Sequence, residues 1–289
     1  MDKILVTGVA GFIGSNLASY LLENEKNYVI GIDNFSCSTM SNLYPLLKNS
    51  RFEFIEHDLK CKLSITPDYV FHFAGNGCFD LYFKDKYNFI LNKIEITKNI
   101  VELTQSSGAK LFYPIEFIDF QEHNKEYFEY YNCLRLIETL LLQLIDSNNL
   151  NCNLIRLCDV YGENMLKNDS RIIPKAINDA FLGNNFNLDY DRSYYFTYIK
   201  DVVVNLEKLM NNHIEKSIVE IANKNLYLES DVIKLISSYA KSKAKVSLNS
   251  QIQMHPSFSP SDNLKFECKT NVLDGVLNTV KYFKLMYYS

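Results

Sequence analysis

Short, nearly unbroken apolar runs alternate with longer stretches of helical period through the first half of the chain. Strands are predicted at 3–7, 28–33, 52–58, 69–74, 110–117 and 153–158, and their continuous hydrophobicity suits strands covered on both faces. Between them the period changes, predicting helices at 12–25, 86–106, 125–147 and 171–182. Strand, helix, strand in repetition specifies an α/β fold with a parallel, doubly wound sheet and right-handed crossovers. From about residue 160 the rhythm loosens into short segments at 194–199, 217–222 and 245–248, a helical pattern at 229–240, a loop through Pro256 and Pro260, and a terminal helix at 272–285. These pieces read as a small C-terminal α/β lobe over the carboxyl ends of the strands. The expected division is therefore 1–160, with 195–212 returning to it, and 161–289 mainly as the lobe.

Composition narrows the functional classes. Thirty Lys and Arg against 34 Asp and Glu leave a net charge of −4 in 289 residues, which supplies no basic field for nucleic acid or anionic lipid. At 47% hydrophobic and 22% charged residues the chain lies in the globular range, and no apolar run reaches the roughly 18 residues that a membrane span needs. A cytoplasmic location follows as the expectation. The seven cysteines contain no CxxC pair and the five histidines no HxH or HxxxH spacing, so neither a disulfide framework nor a metal site is expected.

The first strand runs into Thr7-Gly8-Val9-Ala10-Gly11-Phe12-Ile13-Gly14, a GxxGxxG loop that opens an apolar helix. Glycine lets the chain turn sharply, lets the backbone approach a pyrophosphate, and lets the helix pack closely while its N-terminal amides face the anion. Asp33 ends the second strand nineteen residues after Gly14, where a carboxylate can bond an adenosine ribose diol and repel a 2′-phosphate. The reading is a Rossmann-like domain that binds NAD in preference to NADP.

With these residues in place, ILVTGVAGFIGSNL, GIDNFS, FEFIEHDL and DYVFHFAG resemble the first four strands of extended short-chain dehydrogenase/reductases, in the nucleotide-sugar epimerase/dehydratase group that includes sugar-nucleotide decarboxylases. The resemblance continues through RLCDVYGENM, SRIIPKAINDAFLGNNFNL and YFTYIKDVV to VLDGVLNTVKYF, nearly the whole chain. It implies NAD as cofactor, held by Gly8, Gly11, Phe12, Ile13, Gly14, Asp33, Asn34, Asp58, Leu59, Phe73, Ala74, Gly75 and Tyr130. It also implies a nucleotide-sugar substrate, with Arg171 at a motif arginine and Arg192 two residues before Tyr194, which takes the place of a phosphate-binding arginine, a role in making sugars for cell-surface polysaccharide, and a homodimer paired through helices 86–106 and 125–147.

Such enzymes use a Tyr base, a Lys four residues later on the same helix face that stabilises the phenolate, and a Ser or Thr that positions the sugar hydroxyl. Here the helix reads Tyr130-Tyr131-Asn132-Cys133-Leu134-Arg135-Leu136-Ile137-Glu138-Thr139-Leu140, and its Glu-Thr-Leu fixes the register. Tyr130 takes the Tyr position and Leu134 the Lys position. Glu116 stands near the Ser/Thr position, where a carboxylate can serve as a base once burial raises its pKa. Tyr131 and Arg135 form a second i, i+4 pair, turned about 100° around the helix. Two readings stay open: an enzyme with substituted catalytic groups, and a catalytically impaired NAD-binding protein or partner subunit.

Overall fold

The computed structural model describes residues 1–75, 79–116, 125–212, 214, 217–250, 253–254, 256, 259–261 and 265–288, with backbone alone at 79–80, 116, 125–128 and 254. Two compact units result, Met1–Arg156 with Leu206–Val219, and Leu157–Asn205 with Glu220–Ser289.

The first unit alternates strand and helix as β1 (Asp2–Thr7), α1 (Phe12–Leu21), β2 (Asn27–Asp33), β3 (Phe52–Glu56), β4 (Tyr69–His72), α2 (Phe79–Lys84), α3 (Lys86–Ser107), β5 (Lys110–Glu116), α4 (Lys125–Asp146) and β6 (Cys152–Leu157). The strands lie in the order β6-β5-β4-β1-β2-β3, and β1 pairs in parallel with both β2 and β4. The order reverses between β1 and β4. Leu5, Ile32, Val70, Leu111 and Ile115 on one sheet face pack with Ile100, Val101, Ile137 and Leu141 of α3 and α4. Each such side chain contributes about 1.5–3 kcal/mol on leaving water.

Helix α1 ends four residues before the predicted stop, because the Asn27 amide donates to the Leu21 carbonyl at 2.8 Å and Arg51 donates to the carbonyls of Leu22, Asn24 and Asn27. Side chains have taken over the acceptors that another helical turn would use.

The second unit is built of shorter pieces: β7 (Val160–Tyr161), α5 (Ile172–Leu182), β8 (Phe186–Leu188), β9 (Asp191–Tyr194), β10 (Thr197–Tyr198), α6 (Ile199–Asn211, crossing into the first unit), β11 (Ile218–Ala222), β12 (Tyr227–Leu228), α7 (Glu229–Tyr239), β13 (Val246–Leu248), β14 (Gln253–Met254), β15 (Phe266–Glu267) and α8 (Val272–Tyr287). Strand β11 starts beside β6, where the Leu154 N–H donates to the Ser217 carbonyl at 2.8 Å, and in the second unit its Ile221 and Ala222 pair with β15. The return to the first unit is 206–219 and not 195–212, because β10 pairs with β7 and holds 197–198 in the second unit.

Cysteine usage departs from the expectation. Cys61, Cys133, Cys152, Cys158 and Cys268 are in no disulfide, whereas Cys37 is disulfide-bonded. Among the described residues no helix is long and apolar enough to cross a membrane, and no cluster of His, Cys, Asp or Glu is placed to hold a metal ion.

Candidate functional site

The carboxyl ends of β1 and β4 lie side by side where the strand order reverses, which is where open α/β sheets bind their ligands. The turn after β1 is fixed by backbone contacts. Gly8 has φ +70°, and a Cβ there would stand 2.8 Å from the Ala74 nitrogen; a Cβ on Gly14 would stand 2.3 Å from the Gly8 carbonyl oxygen. No larger residue fits either place. The loop then hands over to α1 at Gly11, where no side chain caps the helix, so the first-turn amides of Phe12, Ile13 and Gly14 face outward as an anion cradle.

Asp33 borders this cradle and is 8% exposed. Its Oδ2 accepts the Ala10 N–H at 2.9 Å, and its Oδ1 accepts the Phe35 N–H at 2.9 Å and the Ser38 hydroxyl at 2.8 Å. Three of about four acceptor sites on the carboxylate are thereby used, which fixes its orientation and leaves one for a ribose hydroxyl. Asn34 is exposed and accepts the Ser36 N–H at 3.1 Å. Past β3, burial resists ionisation of Asp58, yet hydrogen bonds and charge from Lys60, with His57, outweigh it and hold the carboxyl below its ordinary value. Leu59 beside it is buried. After β4, Phe73 is buried, and Ala74 and Gly75 are partly exposed at the edge of the cradle. These residues fit a dinucleotide: a diphosphate at the amides, a ribose at Asp33, and an apolar wall after β4.

Helix α4 looks different. Tyr130 is fully buried, edge-on to Tyr82 with ring centres 5.1 Å apart, 5.9 Å from Phe89 and 5.5 Å from Tyr131. Glu129 next to it pairs with Lys86 at 3.0 Å. Tyr130 shares the buried side of α4 with Ile137 and Leu141, and Leu134 is partly buried among residues of α3. Arg135 lies on the exposed side of α4, and Tyr131 is partly buried. Glu116 closes β5, and its side chain lies outside the described residues.

In the second unit Arg171 precedes α5 and is engaged by Asp169 at 2.5 Å. Arg192 sits in β9 facing Glu229 and Tyr194 electrostatically; burial pushes Glu229 up to about 7 against the pull of Arg192.

One polar group escaped the sequence reading. Thr7 Oγ1 and His72 Nδ1, at the ends of β1 and β4, are 2.8 Å apart, and the Ala74 N–H donates to the same hydroxyl at 3.4 Å. Burial, and after it the charge of Lys93, holds His72 well below its ordinary pKa, so the imidazole is neutral. Lys93 is 5% exposed and donates to the Gly75 carbonyl at 3.3 Å. The available signal was a lysine on the buried stripe of α3, in register with Thr97, Ile100 and Thr104.

Comparison with known proteins agrees with this geometry. Residues 4–222 match the model of the NAD dependent epimerase/dehydratase family. UDP-glucuronic acid decarboxylase 6 of Arabidopsis thaliana is 28% identical over 225 residues, 72% of this chain but only 66% of that protein, so the chain spans just under two thirds of that relative. The uncharacterized UDP-glucose epimerase YtcB of Bacillus subtilis is 26% identical over 99% of both chains. Among solved structures, UDP-glucuronic acid 4-epimerase from Bacillus cereus, in complex with UDP-glucuronic acid and NAD, superposes with a TM-score of 0.83 at 22% identity, over 99% of this chain and all of that one. The chain belongs to the NAD dependent epimerase/dehydratase family, whose cofactor is NAD.

Proposed function

We propose that this protein acts on a nucleotide sugar by transient hydride transfer, as an epimerase or decarboxylase in the making of sugars for cell-surface polysaccharide. The observation that carries the reading is the glycine turn at the β1/β4 switch point, packed so closely on its own backbone that Gly8 and Gly14 admit no side chain. NAD, when bound, supplies a hydride acceptor that later returns the hydride. The chain does the rest. The first-turn amides of α1 hold the diphosphate, Asp33 and Asn34 take the adenosine ribose, Asp58 and Leu59 flank the adenine, and Phe73, Ala74 and Gly75 wall the remaining cofactor. Tyr130 moves the proton of the sugar hydroxyl, with Glu116 as the other candidate carrier, and Arg171 and Arg192 meet the sugar-nucleotide phosphates. A UDP-sugar is the favoured substrate class because the decarboxylase and epimerase relatives carry that nucleotide in their names.

One observation favours a second reading, a catalytically impaired NAD-binding protein or partner subunit: Leu134 occupies the position where the motif places its ammonium, and Tyr130 is enclosed by aromatic rings. An absorbance spectrum and cofactor extraction from the purified protein, followed by a screen of UDP- and dTDP-sugars for conversion to an epimerised or decarboxylated product, separates the two. Turnover of any sugar supports the enzyme; bound NAD without turnover supports the second reading; a folded protein that takes up no NAD overturns both.

The same unit leaves Leu91 and Ile94 of α3 and Leu136 and Leu140 of α4 exposed by 44–66%. This apolar surface supports a homodimer, for which light scattering at micromolar concentration reads twice 33.6 kDa. A value near 33.6 kDa defeats it.

A further inference from the structure

Burying an ammonium is among the most unfavourable placements a fold can make, and α3 makes it with Lys93, which is 5% exposed. The side chain lies on the sheet-facing stripe of the helix and lines, with Leu134, Ile137, Phe89 and Ile90, the cavity between α3 and α4. Its Nζ turns the other way, towards the cradle. It stands 3.3 Å from the Gly75 carbonyl oxygen and 5.6 Å from the centre of the Tyr113 ring, and a Cβ on Gly75 would be 3.8 Å from it. Tyr113 is itself held by the Thr97 hydroxyl at 3.0 Å. His72, which feels the Lys93 charge, has its second nitrogen, Nε2, buried without a hydrogen-bond partner among the described residues. A positive charge and an unsatisfied polar atom thus lie together at the end of β4, on the crevice where the strand order reverses.

We propose that Lys93 is a cofactor-positioning residue: its ammonium, brought to the switch point by α3, fixes Gly75 and supports the anionic diphosphate of NAD from that side of the cradle. The inference rests on the reading that the cradle binds NAD. It gives α3 an electrostatic duty in a chain whose α4 has leucine at 134. The imidazole beside it is neutral, so His72 adds no positive charge to repel the ammonium.

The test is calorimetry of NAD and of adenosine, which lacks the diphosphate, on the wild type, Lys93→Gln and Lys93→Met, with thermal melts of each. Lys93→Gln keeps a donor for Gly75 and removes only the charge. The expected result is a rise of about 10- to 100-fold in the Kd for NAD in both variants, the range for a charge-assisted hydrogen bond, with adenosine affinity unchanged. Unchanged NAD affinity in Lys93→Gln overturns the proposal. So does an equal loss for NAD and adenosine, which would mark Lys93 as a packing residue. Should both variants fail to fold, the side-chain nitrogen resonance of Lys93 in the wild type, assigned with Lys93→Arg, serves instead: a shift on adding NAD but not adenosine supports the proposal, and no shift refutes it. A wild type that binds no NAD defeats the cofactor reading itself, and is seen before any variant is compared.

Discussion

The glycine cradle and the helix α4 occupy the same unit, yet they hold their chemistry by different means. In the cradle, recognition is made of backbone: amides at the start of α1, a left-handed Gly8, and Gly14 so close to the Gly8 carbonyl that even one methyl group has no room. On α4, recognition is made of side chains projecting from an ordinary amphipathic helix, and Leu134 packs against α3 as acceptably as any apolar residue of its size. Sterics leave the first region almost no freedom to change without losing the turn. The second can exchange lysine for leucine while the fold persists. The lesson is that a dinucleotide fold certifies its cofactor more strongly than its catalysis.

The largest effect that could break this contrast lies in the cradle. Gly11 has an extended backbone that any residue can adopt, and a Cβ there would be 3.1 Å from the Gly8 carbonyl oxygen. Gly11→Val is therefore expected to leave a folded protein and abolish NAD binding by calorimetry, because the branched side chain fills the space of the diphosphate. Gly14→Ala drives a methyl into backbone and is expected to lower stability itself, by about 1–3 kcal/mol or more in a denaturant melt. Undiminished NAD binding in Gly11→Val would show that the cradle is not where the dinucleotide sits.

On α4 the expected change runs the other way. Leu134→Lys, alone or with Glu116→Thr, restores the ammonium one turn after Tyr130 and is expected to raise the rate of conversion of a suitable nucleotide sugar by about 10²-fold or more, the usual worth of one acid–base group. Tyr130→Phe should abolish whatever rate exists. A fast wild type whose rate survives Tyr130→Phe would move the proton to another group, Glu116 first.

How far the sequence could be read follows the same division. The long strands of the first unit were legible to within two residues because both faces are covered and the runs are continuously apolar. Helix α6 was missed, although Val202, Leu206, Leu209 and Met210 are buried at helical spacing, because three consecutive valines at 202–204 carry the β-branched signature of a strand. The glycine loop was legible because its chemistry is local in sequence. Lys93 was not, because its meaning depends on Gly75, eighteen residues away, and on Tyr113, in a different strand.

Asp33 is a side chain that borders a turn made of backbone, so it tests where the boundary falls. Asn at that position keeps the size but turns one oxygen into an NH2, which is set against either the Ala10 N–H or the Phe35 N–H and Ser38 hydroxyl. Asp33→Asn is expected to narrow the preference for NAD over NADP by about tenfold and to lower stability by about 1.5–3 kcal/mol, the worth of hydrogen bonds to a charged acceptor. Titration with both cofactors and a chemical melt read the two effects separately. An unchanged preference would mean that backbone alone selects the cofactor.

The smallest expected effect belongs to the second unit, where Glu229 and Arg192 face each other electrostatically. Burial pushes Glu229 up to about 7, with the Arg192 charge pulling against it, so the folded protein favours the neutral acid more than the unfolded chain does. The stabilisation is therefore complete below the ordinary carboxylate value of about 4.5 and is lost as pH rises towards 7. Thermal melts between those limits should show stability declining with pH, and Glu229→Gln, which stays neutral, should flatten that part of the profile. Ionisation of Glu229 also places a negative charge beside Arg192, so if that guanidinium holds a sugar-nucleotide phosphate, substrate affinity should weaken over the same interval in the wild type and not in the variant. A wild-type profile already flat there would show that Glu229 titrates near its ordinary value, and that the surroundings of Arg192 are as wet as the cradle is closed.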